Sequence, residues 1–521
     1  MPRDDINCAR RCFVVFIMMH FSLGVVAPTL RSAMLRSTVA CSTPATEENW
    51  TGSIYCGDRD TVLSRAQRLD GWLVAITLMV TIIVKPVSTA YADVYSKVNI
   101  LFMSTTAVAL GAGVLAIASA AAMSTSLEDA NDPSEESRSL APMWILVLGQ
   151  AIIGCRVTNA VVNTVAASLE VRDVDSSLRS NWSSIHVIVV GGSLVCGIGI
   201  GFAILRRNIE NYTLPLAAMV VPLLLCQCVL LPQKSVLDSG AARKASTLEA
   251  ATAAPEHVSA GVGGDAGGGV GGDAGGGVGG DAVGDAGCIG AVVRLLRGWT
   301  ALLARSAQLR QACVGAGLTA FGLLGLPSVL VSFTIGVYDW QQTGILQAAA
   351  ISVLPGVVGY ALVFNCLLPR YGAHVVLLLT WPLLALGSLV LCFAPWSAAA
   401  IFGTFCCWAL SLPFYPCYIL VVTSSIFTPA EWAQAQGIVE MVVALSAAIS
   451  MPTFSQLYEA EARGWRAAIP FVIGAAAVVP GVLIIVQLVW SDRKARKKAA
   501  GTSGELKISS SMSTPDSSAA H

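Results

Sequence analysis

The sequence predicts an all-α integral membrane protein of twelve transmembrane helices. Three observations carry that prediction. Of its 521 residues 55% are hydrophobic and 12% charged, where a soluble domain carries about 25% charged residues. Mean hydropathy is +0.68. The apolar residues also come in blocks of about 20, the length that crosses a hydrocarbon core of roughly 30 Å at about 1.5 Å per residue.

The blocks fall at 12–33, 71–92, 98–123, 142–168, 184–205, 213–232, 312–337, 343–368, 373–394, 397–425, 434–458 and 467–490. Arg31 and Arg36 follow the first block in place of a small-residue cleavage site. That block is therefore expected to stay as a helix. The layout is a short N-terminus (1–11), a six-helix bundle (12–232), a polar linker (233–311), a second six-helix bundle (312–490) and a disordered tail (491–521).

The linker has two parts. Residues 261–287 are a near-repeat of GGDAGGGV, with almost no side chain to bury, and are expected to be disordered. Residues 289–310 mix Val292, Val293, Leu295, Leu296, Trp299, Leu302 and Leu303 with Arg294, Arg297, Arg305 and Arg310. They read as a basic amphipathic helix on the membrane surface. The alternative is an extended lead-in to the seventh span.

Loop charge sets the orientation. With the N-terminus inside, 20 of the 32 Lys and Arg lie in inner segments and 10 in outer ones. Both termini are thus expected in the cytoplasm. Cys41, Cys56 and the sequon at Asn49 then fall outside, where a disulfide and a glycan are chemically allowed.

The remaining two basic residues, Lys85 and Arg156, lie inside spans, as do His20 and Glu440. An ionisable side chain at mid-bilayer costs at least about 2.5–3.5 kcal/mol, which makes each a candidate for solute or proton handling. Each also has a packing reading. Lys85 and Glu440 could form an ion pair that only fixes helix contacts. Arg156 could satisfy backbone carbonyls. His20 could be a hydrogen-bonded packing residue rather than a proton relay. If Lys85, Arg156 and Glu440 share one cavity, its charge is net positive, which favours an anionic or zwitterionic solute. In the tenth block Trp408 and Tyr415, near Pro413 and Pro416, could stack on an organic solute or simply pack.

Other classes lack support. A net charge of zero offers nothing to nucleic acid. There is no Walker loop, no His-Glu-x-x-His and no nucleophile elbow, so neither an enzyme, an ATP-driven pump, a metal nor a cofactor is expected.

Local motifs add a resemblance. The segment Thr89-Ala-Tyr-Ala-Asp93-Val-Tyr-Ser-Lys97 follows the second block, and Leu368-Pro-Arg370-Tyr-Gly372 follows the eighth. Tyr338-Asp339-Trp340 precedes the eighth, Thr428 to Gly437 leads into the eleventh, and Ala167 to Ser180 joins the fourth and fifth. In order and spacing these resemble the major facilitator superfamily, in the style of its tetracycline-exporter and proton-coupled folate-transporter branches. The resemblance implies two pseudo-symmetric six-helix bundles in a monomer, with a solute site between them and alternating access. It implies gating roles for Asp93, Lys97, Arg370 and Gly372, with Asp93 latching the inner loop to the start of span eleven. The chain departs from the pattern in several places: Thr89 and Ser96 replace the two glycines of the loop signature and Val94 its arginine, Gln150 stands where the family has a span-four arginine, and span five lacks the antiporter's Gly-Pro pair. The expected function is secondary transport of a small organic solute, anionic or zwitterionic, with proton coupling left open. The alternatives are a non-transporting receptor or scaffold of the same fold, or a drug:proton antiporter.

Overall fold

A computed structural model describes residues 59–94, 97–128, 141–155, 220–226, 288–340, 366–411, 429–459 and 462–511, with a few isolated positions elsewhere. The described residues form nine helices and no strand: α1 (Arg59–Val94), α2 (Lys97–Glu128), α3 (Ala141–Gly154), α4 (Cys288–Arg305), α5 (Ala307–Tyr338), α6 (Leu368–Leu391), α7 (Ala398–Ser411), α8 (Pro429–Leu457) and α9 (Trp465–Ser511). Apart from α4, each lies on an expected apolar block. Six are long and apolar enough to cross a membrane: Leu63–Val87, Asn99–Ala118, Ala307–Tyr338, His374–Leu391, Gly437–Leu457 and Trp465–Lys494.

Their surfaces are inverted relative to a soluble protein. Met79, Ile83, Met103, Leu110, Ile117, Leu386 and Leu483 are all exposed. Contiguous apolar surface of this kind marks a face that meets lipid. Trp465 and Trp490 are exposed near opposite ends of the α9 span, as amphipathic rings sit at the two membrane interfaces.

The central helix is α5, which packs against α9, α8 and α1. Lipid offers no hydrophobic drive between helices, so close van der Waals contact must hold them together. The α5–α9 contact achieves it with glycine: a Cβ on Gly322 would sit 2.3 Å from the Gly474 carbonyl oxygen. Seven residues further on in α9, a Cβ on Gly481 would sit 2.8 Å from the Gly315 oxygen. The α2–α3 contact uses the same device, with Gly111 2.8 Å from the Gly149 oxygen by the same measure. Span three pairs with span four through Gly111, and span nine with span ten through Gly387, which faces Trp408.

The Tyr338-Asp339-Trp340 motif ends α5. Asp339 adopts a left-handed conformation at φ 54°, and its N–H donates to the Thr334 carbonyl. The Tyr338 hydroxyl reaches the Ala394 carbonyl, and Trp340 meets Phe402 in a tilted ring contact at 5.7 Å between centroids. The motif therefore caps one helix and anchors it to the turn joining α6 and α7.

Two linker and tail expectations meet the structure here. Residues 288–305 are helical rather than an extended lead-in. The tail expected to be disordered from residue 491 is instead helical as far as Ser511. An apolar helix already nucleated supplies each further turn without a new nucleation cost, and the Arg-Lys-Ala run after Asp492 consists of good helix formers. The Gly-rich tract 261–287 lies outside the described residues.

Candidate functional site

The site is built on α1 and α8, which run antiparallel and pack along their length. Lys85 of α1 forms a salt bridge and hydrogen bond with Glu440 of α8, Nζ to Oε2. The side chains are 22% and 19% exposed. The pair joins the two halves of the chain across 355 residues. Pro86 follows Lys85 inside α1. With no N–H, it leaves the carbonyl four residues earlier unbonded by the helix and loosens the backbone there.

At the other end of the same seam lies a second tie, made of uncharged groups. Gln67 of α1 donates through Nε2 to Ser455 Oγ of α8 at 3.1 Å. The Ser332 hydroxyl of α5 donates to Gln67 Oε1 at 2.6 Å. The Tyr458 hydroxyl then donates to the Ser332 carbonyl at 2.9 Å. All four residues are buried. Gly71 permits the approach, because a Cβ there would lie 2.3 Å from Ser455 Oγ. Asp70, also buried, sits beside Gly71. Pro452 lies inside α8 one turn from Ser455, so a proline flanks this tie too.

The face of α1 that meets α3 is held differently. Thr77 donates to Gln150 Oε1 at 2.9 Å, and Thr81 donates to the Gly154 carbonyl at 2.8 Å. Gln150 is buried. The residue at the expected arginine position thus ties two helices of one bundle together.

The expected site residues fare unequally. The structure brings Lys85 and Glu440 together. Trp408, read as either stacking on solute or packing, is 4% exposed and lies against Gly387 and Phe405 in the α6–α7 contact. Arg370 is exposed in the first turn of α6, its guanidinium 5.6 Å from the Tyr371 ring centroid, and Gly372 follows on the same helix. Asp93 closes α1 and Lys97 opens α2. His20, Arg156, Tyr415, Cys41, Cys56 and Asn49 lie outside the described residues.

Sequence reasoning missed Gln67, Ser332, Ser455 and Tyr458, which carry no charge to attract notice. It also missed His374, whose Nε2 lies 2.7 Å from Asp492 Oδ2 and links α6 to α9. Asp492, the first acidic residue after the last apolar block, was the available signal.

Apolar helices with lipid-type surfaces, joined in two halves by a buried polar seam, define an integral multi-pass membrane protein. Its fold is that of the major facilitator superfamily transporters. The human organic anion transporter MFSD10 (TETRAN) superposes with a TM-score of 0.53 at 13% identity, over 93% of this chain and 100% of that one. The proton:xylose symporter XylE, a major facilitator superfamily protein, matches at 0.57 and 14% identity, over 93% and 96%. The peptide transporter POT matches at 0.53 and 11%, over 92% and 95%. No protein-family model and no curated protein sequence matches the chain.

Proposed function

We propose that the chain is a secondary transporter that carries a small organic solute, anionic or zwitterionic, by alternating access between its two bundles. The observation that carries this reading is the Lys85–Glu440 pair, a charged link between halves placed within apolar helices. Charge there is costly, and its use at a moving interface accounts for its presence. An acidic group on the solute would compete with Glu440 for Lys85, so that binding would release the link between the bundles. The solved structures of similar fold include transporters of organic anions, of xylose with protons and of peptides. Organic anions fit the competition best.

In this reading Asp93, Lys97, Arg370 and Gly372 gate the cytoplasmic side. His20, Arg156 and Tyr415 complete the solute path, and proton coupling passes through Glu440 when Lys85 is engaged by solute. Trp408 acts by packing.

The test is uptake of a panel of carboxylates and amino acids into proteoliposomes holding the purified chain, with and without a pH gradient. Concentrative uptake of at least one anionic solute is expected, with a loss of tenfold or more in Lys85→Ala. Uptake unchanged by Lys85→Ala would remove Lys85 from the solute path. Binding of solutes without flux would favour a receptor of the same fold.

A further inference from the structure

The linker helix α4 occupies a particular place on the α1–α8 seam. It packs against α1, α8 and α5. Its buried stripe is Trp299 and Leu302, with Leu295 and Leu303 packed beside them. Trp299 lies on Gly437, where a Cβ would be 3.2 Å from the indole Cζ2. Gly437 is three residues from Glu440, about one helical turn. The stripe therefore holds the seam next to the Lys85–Glu440 pair.

The rest of α4 faces outward and has a different chemistry. Arg294, Arg297 and Arg305 are exposed, and Val293 and Leu296, adjacent in sequence to the first two, are each 40% exposed. No acidic residue occurs from Cys288 to Arg310. The chain also fixes this helix at a defined depth. Only Ser306 separates it from the span Ala307–Tyr338. Ser306 is extended, and its hydroxyl accepts from the Leu309 N–H to start α5. Arg310 reaches back and donates to the Leu303 and Ala304 carbonyls at 2.7 and 2.8 Å, satisfying the end of α4. A helix locked one residue from a membrane span lies at the membrane surface.

We infer that α4 is a lipid-docking helix, with Arg294, Arg297 and Arg305 binding the anionic phospholipid headgroups of the adjacent leaflet while Trp299 holds the seam at Gly437. Charge complementarity selects the partner: three guanidiniums with no acidic neighbour on the helix suit phosphate, and the exposed Val293 and Leu296 suit the acyl boundary below it. Docking on one face and clamping on the other make the seam responsive to the lipid composition of that leaflet.

The test uses the full chain in nanodiscs of phosphatidylcholine alone or doped with phosphatidylserine, with amide hydrogen exchange read across residues 289–305. Phosphatidylserine is expected to slow exchange in α4 several-fold and to leave the core of α5 unchanged. Each arginine contributes roughly a fivefold gain in affinity for the anionic surface. Arg294→Gln, Arg297→Gln and Arg305→Gln together should abolish the difference between the two discs. The triple Lys variant should retain it. Equal exchange of the wild-type helix in both discs overturns the inference, as does a phosphatidylserine effect that survives the triple Gln change. Should that variant fail to reconstitute, wild-type discs at low and high salt decide: slowing that disappears with salt supports headgroup docking, and slowing that persists overturns it.

Discussion

At the scale of single residues, the Lys85–Glu440 pair has a cost that a double variant can expose. Removing one partner deprives the other charge of this ion pair among apolar helices. Lys85→Met or Glu440→Leu alone should therefore destabilise the solubilised protein by about 3 kcal/mol, while the combined variant recovers most of the loss. A shift of the thermal midpoint reads this directly, and strictly additive losses would contradict it. Gln67→Leu should cost about 1–2 kcal/mol, because it removes two neutral hydrogen bonds and leaves Ser332 and Ser455 short of partners. The charged residues of the seam were legible in the sequence because charge in an apolar block is conspicuous. Their pairing with each other was one of two readings, since sequence separation says nothing about distance across 355 residues. The uncharged tie was not legible: Gln, Ser and Tyr near the ends of apolar blocks cost little, and sequence attaches no partner to them. Trp408 carried two readings, because an aromatic ring in a span has the same signature whether it faces solute or a glycine on the next helix.

At the scale of elements, glycines separate into two kinds. A Cβ on Gly322 would collide with the Gly474 backbone oxygen. Gly322→Ala should accordingly cost about 1–3 kcal/mol through forced separation of α5 and α9. Gly113, in the middle of α2, has nothing within 4 Å of such an atom. Gly113→Ala should be neutral or stabilising by up to about 1 kcal/mol, the helix-propensity gain alone. Thermal unfolding of the two variants side by side tests the contrast. Helix positions were read well wherever an apolar block met a polar boundary, as at Pro429–Leu457 and Ala307–Tyr338. They were read less well beyond the blocks. α1 begins twelve residues before its expected block, at Arg59, since Gln67 and Asp70 lower the local hydropathy although both are buried against other helices and the candidate span starts at Leu63. α9 continues past its block because hydropathy records the bilayer and is blind to a helix that runs on beyond it.

At the scale of the molecule, the division into halves and the membrane-spanning class follow from hydropathy alone, and the fold match is consistent with both. The carrier reading predicts that flux and the seam are linked. Glu440→Gln should change the dependence of uptake on a pH gradient more than it changes affinity for solute. Proteoliposome uptake at matched and mismatched pH measures the split, and an unaltered gradient dependence would take Glu440 out of proton coupling. Solute identity was not legible because it depends on cavity shape, which arises from side chains of both halves at once.

The two ties on the α1–α8 seam also have a mechanical consequence. Gln67 and Lys85 are 18 residues apart on α1, roughly 27 Å along the helix axis. If one tie serves as a pivot, a tilt of about 10° displaces the far end of that lever by about 5 Å. Hydrogen bonds of 2.6 to 3.1 Å at Gln67 do not survive such a displacement. With both ties closed, as they are here, the proposed rocking about one tie opens the other, so each opened state gives up one latch and keeps its opposite.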